Sequence, residues 1–85
     1  MKTIFVNVKS ELGKAYAVAT EAVDAIPEVS EVYSTSGQWD LMFKCYLADD
    51  ADIGHFVTDR IQALPGIRDT FTIVAYKAFS EDRSA

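Results

Sequence analysis

The first apolar stretch, Thr3-Ile4-Phe5-Val6-Asn7-Val8, is β-branched or aromatic at most positions and predicts a strand over 3–8. Ser10 follows as a candidate N-cap. Leu12, Ala15, Tyr16, Ala19, Ala22, Val23 and Ile26 then recur at helical spacing over four turns, with Lys14, Thr20, Glu21 and Asp24 mostly opposite them. Pro27 ends this helix, because proline disfavours helical geometry in the residue before it. Residues 29–36 read as a second strand and Asp40 to Leu47 as a third. Gly37-Gln38-Trp39 joins them, so that 29–47 forms a β-hairpin. Asp49, Asp50 and Asp52 open a second helix, where carboxylates suit the positive end of the helix dipole. Ile53, Phe56, Val57, Ile61 and Leu64 supply its apolar stripe. Pro65-Gly66 closes it, and residues 67–77 form a fourth strand. The polar tail 80–85 is expected to fray, leaving one domain over 1–79.

The two halves of this βαββαβ order resemble each other. Ala25-Ile26-Pro27-Glu28-Val29-Ser30-Glu31 matches Ala63-Leu64-Pro65-Gly66-Ile67-Arg68-Asp69 at an offset of 38, and Phe5, Val18, Val23 and Tyr33 meet Phe43, Phe56, Ile61 and Phe71 at the same offset. Two tandem strand–helix–strand units predict an α+β, ferredoxin-like sandwich: a four-stranded antiparallel sheet with both helices on one face. Such a sandwich leaves one sheet face bare. Alternation along strands one, three and four, counted in strand four from Ile67, assigns Phe5, Met42, Tyr46, Val74 and Tyr76 to that face, too much apolar surface to leave in water. Homodimerisation through the open sheet face is the expected outcome, and a solvated face with scattered aromatics is the alternative.

Composition narrows the partners. Eight basic and thirteen acidic residues give the 85-residue chain a formal charge of −5, with no basic block, which disfavours direct binding to nucleic acid. No apolar run is long enough to span a membrane. The single Cys45 excludes an internal disulfide and any multi-thiolate metal site, and suits a reducing cytoplasm. No cofactor motif occurs, and no catalytic residue is expected. His55, the only histidine, reads as a surface helix residue, and Cys45 as a buried, inert thiol. Asp49-Asp50-Ala51-Asp52 lacks the ligand spacing of a calcium loop.

One segment stands apart. Ser34-Thr35-Ser36-Gly37-Gln38-Trp39-Asp40 gathers small hydroxyls, a glycine, an indole and a carboxylate at one hairpin tip. Free backbone groups there could pair with a small zwitterion, with Asp40 attracting its ammonium and Trp39 covering its apolar part. A plain turn, with Gly37 supplying a positive φ, is the other reading.

At this hairpin the sequence resembles the Lrp/AsnC family of feast/famine regulators, and more narrowly their C-terminal effector-binding RAM domain. The residues that carry the match are Pro27-Glu28-Val29 running to Val32-Tyr33-Ser34-Thr35-Ser36-Gly37-Gln38-Trp39-Asp40. A second match runs Ile61-Gln62-Ala63-Leu64-Pro65-Gly66-Ile67-Arg68-Asp69-Thr70-Phe71-Thr72-Ile73-Val74. The resemblance implies dimers with facing sheets, further assembly into octameric or decameric rings, and an amino-acid effector bound between dimers. It carries the effector-binding role to Ser36, Gly37, Gln38, Trp39, Asp40, Thr70, Thr72 and Ile73, with Trp39 where the family often has tyrosine. The family's helix-turn-helix half has no counterpart before the first strand, so the chain is similar to stand-alone RAM proteins. These would sense an amino acid by themselves or co-assemble with a full-length Lrp/AsnC-type regulator; a piece of a longer regulator is a further possibility. Two alternatives stay open. One is a small cofactor-free enzyme of the dimeric α/β barrel type, using a cluster of Tyr16, Tyr33 and Asn7. The other is a purely structural oligomerisation module.

Overall fold

The computed structural model describes residues 1–80; of the expected tail, only Ser80 lies among them. The elements are β1 (Lys2–Ser10), α1 (Ala15–Ala25), β2 (Val29–Ser34), β3 (Leu41–Leu47), α2 (Ile53–Phe56, continued by a π-helical turn Val57–Ile61) and β4 (Ile67–Ala75). The four strands form one antiparallel sheet in the order β2-β3-β1-β4, which leaves β2 and β4 as the edges. This is the ferredoxin-like α+β fold that the alternating pattern predicts. The repeat is visible in the element starts: Ala15 and Ile53 begin the helices, and Val29 and Ile67 begin the returning strands, each pair at the predicted offset.

The core lies between sheet and helices. Ile4, Val6 and Val8 on β1 and Leu41, Phe43, Cys45 and Leu47 on β3 are buried, because the two central strands turn every second side chain toward the helices. From the helices, Val18, Ala22, Ile26, Phe56, Val57 and Ile61 meet them. Asp52 caps α2, its carboxylate accepting the His55 N–H at 2.9 Å, so the end of the acidic run stands at the start of the helix and caps it as well.

Two expectations need correction in the first half. Ser10 ends β1 rather than capping α1, which begins four residues beyond Glu11, with Lys14 at its N-cap and no side-chain cap. Nor does the whole apolar series face the core. Val18, Ala22 and Ile26 form the buried line, with Ala15 and Ala19 partly buried beside it, while Leu12, Tyr16 and Val23 are exposed. Tyr16 and Val23 each sit one residue, about 100° of rotation, beyond a core-facing alanine, and that turns them to the outside.

The third correction concerns β4. Ile67 pairs with Ser10 but Asp69 already pairs with Lys9, so Arg68 is the extra residue of a bulge. The bulge reverses the alternation that runs from Ile67. Thr70, Thr72 and Val74 stand opposite Val8, Val6 and Ile4 on the helix side, and Phe71 and Ile73 stand opposite Asn7 and Phe5 on the open face. Val74 therefore leaves the expected open-face set, and Phe71 and Ile73 join it; Tyr76 lies beyond the end of β4. The same irregularity falls between Val29 and Glu31 in β2, at the equivalent position of the other half. The bulge is thus part of the repeated unit.

The turn before β4 depends on Gly66. Its φ is +92°, and a Cβ there would lie 3.0 Å from Val18 Cγ2 and 3.2 Å from Lys14 Cβ. Gly66→Ala is expected to lower stability by about 1–3 kcal/mol through left-handed strain alone, read as an earlier urea midpoint at unchanged slope.

Candidate functional site

The β2–β3 hairpin tip, residues 35–40, is folded on itself and tied to β1. The Thr35 N–H donates to the Asp40 carbonyl at 2.9 Å, and the Thr35 hydroxyl donates to the Trp39 carbonyl at 2.9 Å. Gly37 takes φ +95°, the left-handed turn geometry that its type suggests. Asp40 then crosses to the end of β1. Its N–H donates to the Val8 carbonyl at 2.9 Å, and its Oδ2 accepts the Ser10 N–H at 2.9 Å and the Ser10 hydroxyl at 3.3 Å. Ser10 is buried, so this carboxylate satisfies polar groups that water does not reach freely. Lys9 adds a third tie, its Nζ donating to the Gln38 carbonyl at 3.1 Å.

These ties carry Trp39 across β1 to β4. Its ring stacks on Phe71 with centroids 6.1 Å apart and planes 26° from parallel. The hairpin tip and β4, distant in sequence, thus share one end of the sheet. The expected site residues divide between its two sides. Trp39 reaches the open face at Phe71, and Ile73 lies on that face beside Phe5; Ser36, Gly37 and Gln38 form the exposed tip. Thr70 and Thr72 are on the helix side. The Thr70 hydroxyl accepts from Gln62 Nε2 at 2.8 Å, above a shallow hollow of about 250 Å³ lined by Gln62, Ile67, Arg68, Asp69 and Thr70. Both sides meet at the free edge of β4. Lys9, Ser10, Gln62 and Phe71 are the contributors that sequence reasoning missed. Phe71 did carry a signal, as the repeat partner of Tyr33, whereas Lys9 and Ser10 carry none until β1 is laid beside β3 and β4.

A second polar group occupies the open face near the β2 edge. The Tyr33 hydroxyl donates to Glu31 Oε2 at 2.5 Å, and Lys44 Nζ lies 3.7 Å from Glu31 Oε1 and 5.4 Å from the centre of the Tyr46 ring. The carboxylate that accepts its proton raises the Tyr33 phenol above its ordinary value, and Tyr46 raises the Lys44 ammonium with help from Glu31. Lys44 is therefore fully cationic near neutral pH.

Among the described residues, the remaining reactive side chains stand apart from one another. Tyr16 is exposed on the outside of α1, whereas Asn7 and Tyr33 flank Met42 on the open face, so the cluster imagined for an enzyme is not formed. His55 is exposed and lies 3.6 Å from Asp59, one helical turn away. Burial pushes the Cys45 thiol up to about 12, which leaves it protonated and unreactive. Among the described residues no group of His, Cys, Asp and Glu could hold a metal ion, and no helix is long and apolar enough to cross a membrane.

The described residues thus form a ferredoxin-like sandwich with a bare sheet face and a hairpin tip that reaches the last strand. The sequence matches the model of the Lrp/AsnC ligand binding domain over residues 3–85, and the chain belongs to that family. Among curated relatives, the HTH-type transcriptional regulator FL11 of Pyrococcus horikoshii is 32% identical over 91% of this chain and 50% of its own length. The proline dehydrogenase transcriptional activator of Rhodobacter capsulatus is 34% identical over 84% of this chain and 46% of its own. The chain spans about half the length of the curated relatives it matches. Among solved structures, TTHA0845 from Thermus thermophilus superposes with a TM-score of 0.81 at 34% identity, covering 94% of this chain and 99% of that one.

Proposed function

We propose that this chain is an amino-acid-sensing oligomerisation domain that acts in transcription regulation rather than as an enzyme. It works in the cytoplasm, alone or co-assembled with a full-length Lrp/AsnC-type regulator. Two copies pair through the open sheet faces, and dimers associate further into an octameric or decameric ring. A free amino acid binds where the hairpin tip of one dimer meets another. Ser36, Gly37, Gln38, Trp39 and Asp40 supply one wall, and Thr70, Thr72 and Ile73 on β4 the other.

The observation that carries this reading is that Asp40 ties the tip to Ser10 at the end of β1 while Trp39 reaches Phe71 on β4. A carboxylate and an aromatic ring are thereby held at one end of the sheet, which supports a site formed before any ligand arrives. Two further supports are the relationship to transcriptional regulators and the acidic charge, which leaves operator binding to another domain.

Light scattering after size exclusion, alone and with each of the twenty amino acids at millimolar concentration, tests the proposal. If ligand completes the dimer–dimer contact, mass action shifts the dimer toward the ring with one or a few amino acids. A dimer indifferent to all twenty would refute sensing by the chain alone.

A further inference from the structure

In a chain with thirteen acidic and eight basic residues, one concave patch carries the opposite balance. It lies on the open face, at the end of the sheet away from the hairpin tip, and holds about 400 Å³, within the span of about 300–1,000 Å³ usual for small-molecule sites. Lys44 and Lys77 line it, and no aspartate or glutamate does.

The sheet register builds this cavity. Thr3 pairs with Tyr46 on one side and Ala75 on the other, and Phe5 pairs with Lys44, so two adjacent rows of open-face side chains form its floor. Lys44 on β3 and Lys77 just beyond β4 flank it from opposite sides of β1. Tyr76 adds a third ring at the mouth and is 98% exposed, so it has apolar area to give to a ligand. Neither lysine is committed to a carboxylate at hydrogen-bond distance. Glu31 Oε1 stands 3.7 Å from Lys44 Nζ, and Lys77 meets the Phe79 ring at 5.2 Å and no carboxylate among the described residues.

An aromatic floor between two ammonium groups suits an anion that carries an apolar ring. The ring gains stacking and burial, and the carboxylate gains charge-assisted hydrogen bonds. A zwitterionic amino acid is disfavoured, because its ammonium would join two others with no lining carboxylate to receive it. We infer that this cavity binds an aromatic carboxylate without an amino group, its ring on Phe5 and Tyr46 and its carboxylate held by Lys44 and Lys77. The site is distinct from the hairpin tip. Asn7, which pairs with the Phe71 that Trp39 covers, lies four residues from Thr3, about 13 Å of strand. Nor does it need the proposed dimer: a partner's sheet on the open face would roof the cavity, but every group invoked belongs to one chain. The domain would then read an amino acid at one end of its sheet and a deaminated acid at the other.

The test titrates hydrocinnamate, which is phenylalanine without its ammonium, into the full chain and follows the backbone amides by NMR. Saturable shifts are expected at Thr3, Phe5, Tyr46 and Lys77, with Trp39 and Asp40 unmoved. The Lys44→Gln/Lys77→Gln double variant should raise the dissociation constant about tenfold or more, its own spectrum showing that the fold is kept. L-phenylalanine and the neutral hydrocinnamyl alcohol should each bind about tenfold more weakly or worse at the same amides. Shifts centred on Trp39 and Asp40 would overturn the site and assign the ligand to the hairpin tip. Equal affinity for the alcohol, or an unchanged constant in the double variant, would overturn recognition by the two lysines. No saturable shift at millimolar hydrocinnamate would overturn the inference outright. Sedimentation of the same samples keeps the two readings apart. A monomer that binds hydrocinnamate at these amides sinks the proposed dimer and leaves this site standing, whereas a dimer that does not bind it sinks the site alone.

Discussion

If two copies pair through the open faces as proposed, Ile73→Lys is expected to convert that dimer to monomer, with its dissociation constant raised roughly 100-fold or more, while the circular dichroism of the fold is preserved. Ile73 stands opposite Phe5 in the register and lies on the open face, which the proposed dimer would cover. A lysine there would either bury an unpaired ammonium or hold the two sheets apart. Because a two-fold interface contains each residue twice, every complex would carry the penalty twice. The fold should survive, since Ile73 is not among the buried core side chains. Val74→Lys is the matched control. It adds the same charge one residue later, but on the helix side opposite Ile4, and the dimer should persist. Sedimentation velocity over a concentration series would read both variants. Dissociation by the Val74 substitution, with the Ile73 variant still dimeric, would refute the assignment of faces.

Substitutions at Asp40 should separate its two roles. Asp40→Ala removes the acceptor shared by the Ser10 N–H and hydroxyl, and leaves buried donors without a partner. A loss of about 1–3 kcal/mol is expected. For a domain this small, each kcal/mol lowers the melting temperature by about 4–8 °C. Asp40→Asn keeps a carbonyl oxygen for Ser10 and removes only the charge, so it should retain most of the stability. If Asp40 also receives the ammonium of an amino-acid effector, the asparagine variant should bind that effector at least tenfold more weakly, at a cost typical of a charge-assisted hydrogen bond. Calorimetric melting and ligand titration of the same two proteins would show it. Equal ligand affinity in Asp40→Asn and the parent would leave Asp40 a purely structural tie.

Local rules reached a long way in this chain. The β-branched and aromatic runs, the helix stops at Pro27 and Pro65 and the acidic start at Asp52 specify the order βαββαβ without tertiary information, because each acts over a few bonds. The offset of 38 exposes the duplication for the same reason: equivalent residues meet equivalent local demands. Family membership was legible too, since its motifs lie at the hairpin and along the last strand.

What the sequence could not decide was which side of a strand or helix a residue meets. Alternation from Ile67 put Val74 on the open face, but one bulged residue, Arg68, exchanged it for Phe71 and Ile73. A bulge forms when the partner strand offers one position for two, and that partner is β1, at the far end of the chain. Tyr16 and Val23 look like core at helical spacing, yet the packing of α1 through Val18, Ala22 and Ile26 turns them outward. The site divides in the same way. Gly37 and Trp39 announce a turn with an exposed ring, which is local chemistry. That Asp40 ties down Ser10, and that Trp39 reaches Phe71, depends on three strands lying side by side, and only the tertiary structure brings them there.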